Sequence, residues 1–199
     1  MKSALKLGFL GSGNGSSARA IIGAIRSGDL AAEARLVVSN RREAPLLDWA
    51  ASQGVATSLI QTVVDPEGAD ARLADAMRSH GVELIVMSGY LRRLGPRTLA
   101  RYAGRILNIH PGPLPEFGGQ GMYGRRVHEA VLATGATQSA IMIHLVDEEY
   151  DHGAEIARRI VDIAPGDTPE SLEATIKARE PEFFLETLQG IVRGDIQLP

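Results

Sequence analysis

Residues 5–25, LKLGFLGSGNGSSARAIIGAI, decide the fold. An apolar run, LKLGFL, passes directly into the glycine-rich GSGNGSS and then into a segment, Ser17 to Ser27, with the pattern of an amphipathic helix. Strand, tight turn and helix in that order open a βαβ unit. The alternation continues outward: ARLVVSN, ELIVMSG, RILNIH and SAIMIHLVD are further short apolar runs. Helix-like segments fall at Glu43 to Ser52, Glu67 to His80, Pro96 to Tyr102 and Arg125 to Thr134, and a closing helix runs from Pro169 to Val192. Gly54 and Gly81 stand where C-terminal caps are wanted, and Thr168 before Pro169 supplies a capping hydroxyl and a first-turn proline. AEIARRIVDI comes after the tight DHG and alternates, which predicts a late strand antiparallel to SAIMIHLVD. The predicted fold class is α/β: an open, mostly parallel twisted sheet, Rossmann-related, with helices on both faces and a late antiparallel strand.

At 199 residues, 44% of them hydrophobic, the chain suits a single domain over residues 1–199 with one sizeable core. A net charge of -3 provides no overall field for nucleic acid or anionic lipid, so the expected partners are small molecules held by a local site, with no nucleic acid and no membrane. Without cysteine there is no disulfide, no Cys-ligated zinc and no thiolate nucleophile. The stretch MKSALKLGFLGSGNG lacks a long apolar core, and a cytoplasmic protein, monomer or homodimer, is expected.

Open parallel sheets bind ligands beyond the C-terminal ends of their strands. The loops GSGNGSS, SGYLRRL, NIHPGPLPEFGG and DEEYDHG are therefore expected to share one rim. In the first, successive backbone N–H groups and a helix N-terminus suit a phosphate, and Ser12, Asn14, Ser16 and Ser17 offer side-chain donors. It is not the full dinucleotide fingerprint: the G-x-G-x-x-G spacing meets Gly11, Gly13 and Ser16, and VVSNRR carries no acid for a ribose. In RILNIH, Asn108 and His110 are two apart on a strand and should project together, with Ile109 turned into the core. An imidazole that moves protons near neutral pH and an amide that donates to an oxygen gaining charge are two parts of acyl transfer to or from an amine. The prolines at 111, 113 and 115 stiffen the loop after this strand. HLVDEEYDHG bunches Asp147, Glu148, Glu149 and Asp151; one of them beside His110 would stabilise imidazolium and raise its pKa, and spacing does not select which. Of the other histidines, His80 should end a helix, His128 face a helix surface or its neighbouring loop, His144 lie within a strand and His152 in a turn, and no metal-ligand spacing is present. Trp49 reads as packing.

Taken in order, SGNGSS, SGYLRRL, YAGRILNIHPGPLP, DEEYDHG and the acid in KAREPEFF resemble the folate-dependent phosphoribosylglycinamide formyltransferases over nearly the whole chain. The resemblance implies formyl transfer from 10-formyltetrahydrofolate, as cosubstrate and without a metal, to the amine of phosphoribosylglycinamide in purine biosynthesis. It implies a catalytic trio of Asn108, His110 and Asp151, and a substrate site of Gly13, Asn14, Gly15, Ser16, Ser17 and Glu180. Leu91, Arg92, Arg93 and Leu94, with Asp147, Glu148, Glu149 and Tyr150, would border the folate, and His144 would support the site. A phosphate-binding half, residues 1–100, and a catalytic and folate-binding half, residues 101–199, are implied. The chain departs from the family at Ser17, where Asn is common, in the longer FGGQGMYG loop, and in VVDPEGADARL, which matches poorly and implies no folate contact. The alternatives are a formyltetrahydrofolate hydrolase or another folate-dependent N-formyltransferase and, outside catalysis, a sugar-phosphate-binding module.

Overall fold

β1 (Leu5–Leu10) delivers the chain through its glycine-rich turn into α1 (Ser16–Ser27). A computed structural model describes residues 4–199; of the N-terminal stretch read for a targeting segment, residues 1–3 lie outside the described residues. The order continues β2 (Ala32–Ser39), α2 (Pro45–Ser52), β3 (Thr57–Leu59), α3 (Pro66–Ser79), β4 (Leu84–Met87) and α4 (Pro96–Arg101). Then come β5 (Ile106–His110), α5 (Arg125–Ala133), β6 (Gln138–Leu145), β7 (Glu155–Asp162) and α6 (Pro169–Arg193). Helix ends obey the punctuation: Gly28 and Gly194 close α1 and α6 in left-handed conformation, and Thr168 caps α6 through a reciprocal pair with Ser171.

The strands form one sheet in the order β3-β2-β1-β4-β5-β6-β7. β1 to β5 run parallel, β6 is antiparallel to β5, and β7 is antiparallel to β6. Two expectations change here. β3 is absent from the apolar runs because Thr57–Leu59 has one apolar residue; it is a strand through its pairing with Val37 to Ser39. DEEYDHG does not leave from the common rim. Leu107 pairs with Leu145 and His110 with Met142, so β6 ends toward the start of β5 and the loop after it must fold back along a sheet face. An apolar run looks the same in either direction, which is why periodicity does not decide it.

Apolar side chains sort to the two faces. Leu7, Phe9, Ile21, Ile22, Leu107 and Phe184 belong to the core under α1, α2 and α6, whereas Leu10, Leu36, Leu73, Met77, Ile85 and Ile106 pack under α3 and α4. The close approach of α3 requires Gly8, where an added Cβ would lie 2.5 Å from the Met77 sulfur. On α6, Leu172, Ile176, Phe183, Phe184 and Leu188 form the buried stripe, and removing one such phenyl ring costs about 3–5 kcal/mol. The two-residue period places Asn108 and His110 on the side of Ile106, opposite Leu107 and Ile109. Further along that face, Leu114 of the proline-rich loop packs on Ala140 and Met142, so a loop instead of a helix covers β6.

Candidate active site

The turn after β1 is held by its neighbours. Gly15 is the N-cap of α1 with φ 63, and an added Cβ would meet Leu46 at 2.6 Å, so both the left-handed backbone and the space demand glycine. Arg19 donates to the carbonyls of Asn14 and Pro45 while stacking 5.0 Å over the Trp49 ring, which gives Trp49 its packing role. The Ser12 hydroxyl is fully engaged: it donates to Asn40 at 2.6 Å and accepts from the Leu91 N–H at 2.9 Å. Ser88 accepts from the Ala18 N–H. These two serines tie SGYLRRL to the glycine-rich turn, and they remove Ser12 from the free donors. Among the described residues, the N–H groups of Gly13, Asn14, Gly15, Ser16 and Ser17 have no intramolecular partner, the arrangement an anion needs at a helix N-terminus.

Three segments meet over β5 and β6. Asn108 stands directly opposite His144 in the antiparallel register, and their side chains are 3.1 Å apart, Nδ2 to Nε2. Asp151, on the folded-back loop, brings Oδ2 to 3.5 Å from His110 Nδ1 and Oδ1 to 3.5 Å from His144 Nε2. Asp151 reaches this position with φ 56, a left-handed conformation that Asp and Asn tolerate better than most residues. The structure therefore puts Asp151 beside His110, while Asp147 turns to its own loop, accepting from the Glu149 N–H at 2.8 Å and facing His152 at 3.3 Å.

The glycine-rich insertion closes over this group. His110 Nε2 donates to the Phe117 carbonyl at 2.8 Å, and the Gly119 N–H donates to Asp151 Oδ2 at 3.0 Å. Gly118 packs so tightly that an added Cβ would lie 2.4 Å from Leu114 and 2.9 Å from Asp151 Cβ. Burial pushes the His110 imidazole below its ordinary pKa, against the Asp151 charge and the Phe117 carbonyl, which pull it up, and with the neighbouring His144 ring also lowering it. The carboxylate acts in the expected direction, but desolvation outweighs it. Burial raises the Asp151 carboxyl, yet the charges and hydrogen bonds around it, the His110 ring and the Gly119 N–H among them, outweigh it and hold the group below its usual range.

A cavity of about 630 Å³ adjoins the site, lined by Leu91, Arg92, Arg93, Leu94, Glu148 and Tyr150 together with Ile60, Thr62, Tyr90 and Leu99. Arg93 bridges its mouth, donating to the Glu148 carbonyl and lying 5.9 Å over the Tyr150 ring. The trio does not line this space; Tyr150, next in sequence to Asp151, connects the two. Asp147 and Glu149 do not border it. VVDPEGADARL, for which the resemblance implied no folate contact, contributes Pro66, Ala69 and Asp70 to the wall. Buried Asp70 is committed to α4, accepting from the Arg97 and Thr98 N–H groups and the Thr98 hydroxyl.

Glu180 sits at helical spacing from Ile176 and Phe184, in the apolar stripe of α6, and burial pushes its carboxyl up to about 7, with Lys177 pulling the other way. No side chain among the described residues hydrogen-bonds it. His128 departs from its expected surface position: it is 1% exposed, in the buried stripe of α5 with Val127 and Val131, and its Nδ1 has no partner. His80 ends α3 as expected. Although His110, His144 and Asp151 are neighbours, no group of three such side chains among the described residues could hold a metal ion. No helix among those residues is long and apolar enough to cross a membrane. The contacts of Phe117, Gly119 and His144 were not readable from spacing; a cross-strand register pairing Asn108 with His144 is the signal that finds the last.

Residues 5–188 match the family described as Formyl transferase. The chain is 35% identical over 188 residues to the chloroplastic phosphoribosylglycinamide formyltransferase of Vigna unguiculata, covering 94% of this chain and 60% of that protein, less than two thirds of its length. It is 32% identical over 195 residues to the phosphoribosylglycinamide formyltransferase of Haemophilus influenzae, covering 97% of this chain and 90% of that one. The solved structure of the phosphoribosylglycinamide formyltransferase of Coxiella burnetii aligns with a TM-score of 0.86 at 35% identity, over 96% of this chain and 88% of that one. Because the family match runs from β1 into α6 and takes in every loop that meets around His110, the chain belongs to the formyl transferase family.

Proposed function

We propose that the chain transfers the formyl group of 10-formyltetrahydrofolate to the amine of phosphoribosylglycinamide. The observation that carries this reading is the meeting of Asn108, His110 and Asp151 in a fold that also offers two distinct receptacles, the N–H groups of Gly13 to Ser17 and the cavity walled by Leu91 to Leu94. The first suits the phosphate, and the second, part apolar and edged by Arg92 and Arg93, suits an aromatic folate with an acidic tail. Glu180, a carboxyl group with no hydrogen-bond partner among the described residues, suits the substrate's glycinamide end.

The amine nitrogen bonds to the formyl carbon, and the bond from that carbon to folate N10 breaks. An Asn108 N–H donates to the formyl oxygen as it gains negative charge. His110, neutral at pH 7 because of its burial, takes the proton lost by the amine and returns it to N10, with Asp151 stabilising the imidazolium in between. For this exchange the substrate amine replaces the Phe117 carbonyl at Nε2, and the ring proton passes to Nδ1, which faces Asp151, so that Nε2 offers its lone pair. Holding both substrates against one trio lowers the barrier further, since oriented reactants gain up to about 7–11 kcal/mol. No covalent enzyme intermediate and no metal enter these steps.

Purified protein given the formyl folate with and without phosphoribosylglycinamide tests the reading. Folate release that requires the amine and matches formylated product supports transfer. Release without the amine would make the chain a hydrolase, and binding without release a sugar-phosphate module.

A further inference from the structure

His144 is 2% exposed, lies within β6 and has no part in the steps above. Its Nδ1 is 2.8 Å from the Leu145 carbonyl oxygen, which can only accept, so Nδ1 carries a proton. In a neutral ring the lone pair is then at Nε2. Two groups compete for that nitrogen and demand opposite things of it. Asn108 Nδ2, at 3.1 Å, requires a lone pair; Asp151 Oδ1, at 3.5 Å, requires a proton. The first distance lies in the normal hydrogen-bond range and the second beyond it. Asn108 and His144 are also directly paired residues of two hydrogen-bonded strands, so the contact is set by the sheet and not by a loop.

We infer that His144 is a positioning residue: as the neutral ring protonated at Nδ1, it accepts one N–H of Asn108 and so sets which way the Asn108 amide faces. An asparagine amide is nearly symmetric in shape, and a site that needs a donor is defeated when the carbonyl end turns in. With one N–H held by His144 Nε2, the second N–H of the same nitrogen remains for the formyl oxygen. The Leu145 carbonyl thus acts on the reaction through two hydrogen bonds, by fixing the ring tautomer that fixes the amide. This inference rests on the proposed formyl transfer for its kinetic consequences, but not for the contact itself.

Nitrogen NMR of the His144 ring in the folded wild-type protein at neutral pH reads the contact directly. A protonated Nδ1 with a bare Nε2 is expected; a proton on Nε2, whether in the other tautomer or a charged ring, overturns the inference. In kinetics, His144→Leu should lower kcat about 10-fold or more, with both KM values within about twofold, as loss of oriented oxyanion help does. His144→Gln, whose side-chain oxygen can accept the same N–H, should restore most of the rate. In an Asn108→Ala background His144→Leu should cost nothing further, because the two act as one unit. Additive losses, or a fall in melting temperature with unchanged kcat, would overturn the role. Should His144→Leu fail to fold, the ring tautomer and His144→Gln still decide. A wild-type protein that does not formylate the amine sinks the proposed reaction, while the tautomer measurement stands apart from it.

Discussion

The turn of Gly11 to Ser17 and the cluster over β5 and β6 hold their ligand groups by different means. In the turn the donors are backbone N–H groups, their direction is set by one strand-to-helix junction, and the packing of Leu46 and Arg19 only steadies it. In the cluster the donors and bases are side chains from two antiparallel strands and one loop, oriented by one another and by backbone groups of a second loop. A site of the first kind tolerates side-chain change and is sensitive to backbone change. A site of the second kind is the reverse, and its electrostatics depend on burial that no single segment supplies.

The sharpest break should come in the cluster. His110→Ala and Asn108→Ala are expected to lower kcat about 100-fold or more, with KM for both substrates little changed, because each acts on bonds that are changing. Steady-state kinetics with each substrate varied checks this; turnover near wild type in both would remove the trio from the mechanism. Asp151→Asn should slow transfer about 10-fold to 100-fold without unfolding the loop, since Asn also tolerates the φ 56 backbone. The Asp151 charge pulls the His110 pKa up while burial pulls it down, so removing the charge must lower the pKa further. Ring titration by NMR should show that displacement; an unchanged titration would separate Asp151 from His110.

The turn should respond to backbone substitution in two distinguishable ways. A Cβ added at Gly13 meets nothing within 4 Å, so Gly13→Val should leave the melting temperature alone while raising KM for phosphoribosylglycinamide about 10-fold and the folate KM little. Gly15→Val meets Leu46 at 2.6 Å with φ 63, and it should instead lose about 1–3 kcal/mol of stability. If Gly13→Val weakens both substrates equally, the turn is a scaffold and not a phosphate site.

The smallest effect concerns Glu180, which shares the reliance of the cluster on burial. Its folded pKa of about 7 lies above the ordinary value of 4.5, so its contribution to stability is present below the latter and is lost as pH rises through the former. Between those values the melting temperature of the unliganded wild type should fall by a few degrees relative to Glu180→Gln. Over the same rise in pH, KM for the amine substrate should improve in wild type and stay flat in the variant, because only an ionised Glu180 attracts an ammonium. Parallel curves for the two proteins would take Glu180 out of the substrate site.

By itself the sequence determined the α/β class, the helix positions to within about two residues, and the glycine-rich turn between β1 and α1, because each depends on local periodicity, capping and glycine geometry. It also determined that Asn108 and His110 point the same way, since strand alternation is a local rule. Tertiary structure alone decided the antiparallel direction of β6, for an apolar run carries no arrow and pairing settles it. That direction produces the Asn108–His144 pair and the path of the loop that brings Asp151 under the insertion. Only the tertiary structure decided, too, that the His110 pKa moves down and the Glu180 pKa up: charge neighbours can be guessed from spacing, but desolvation depends on every segment that closes over the group, here Phe117 and Gly119 for the trio and the α6 stripe for Glu180.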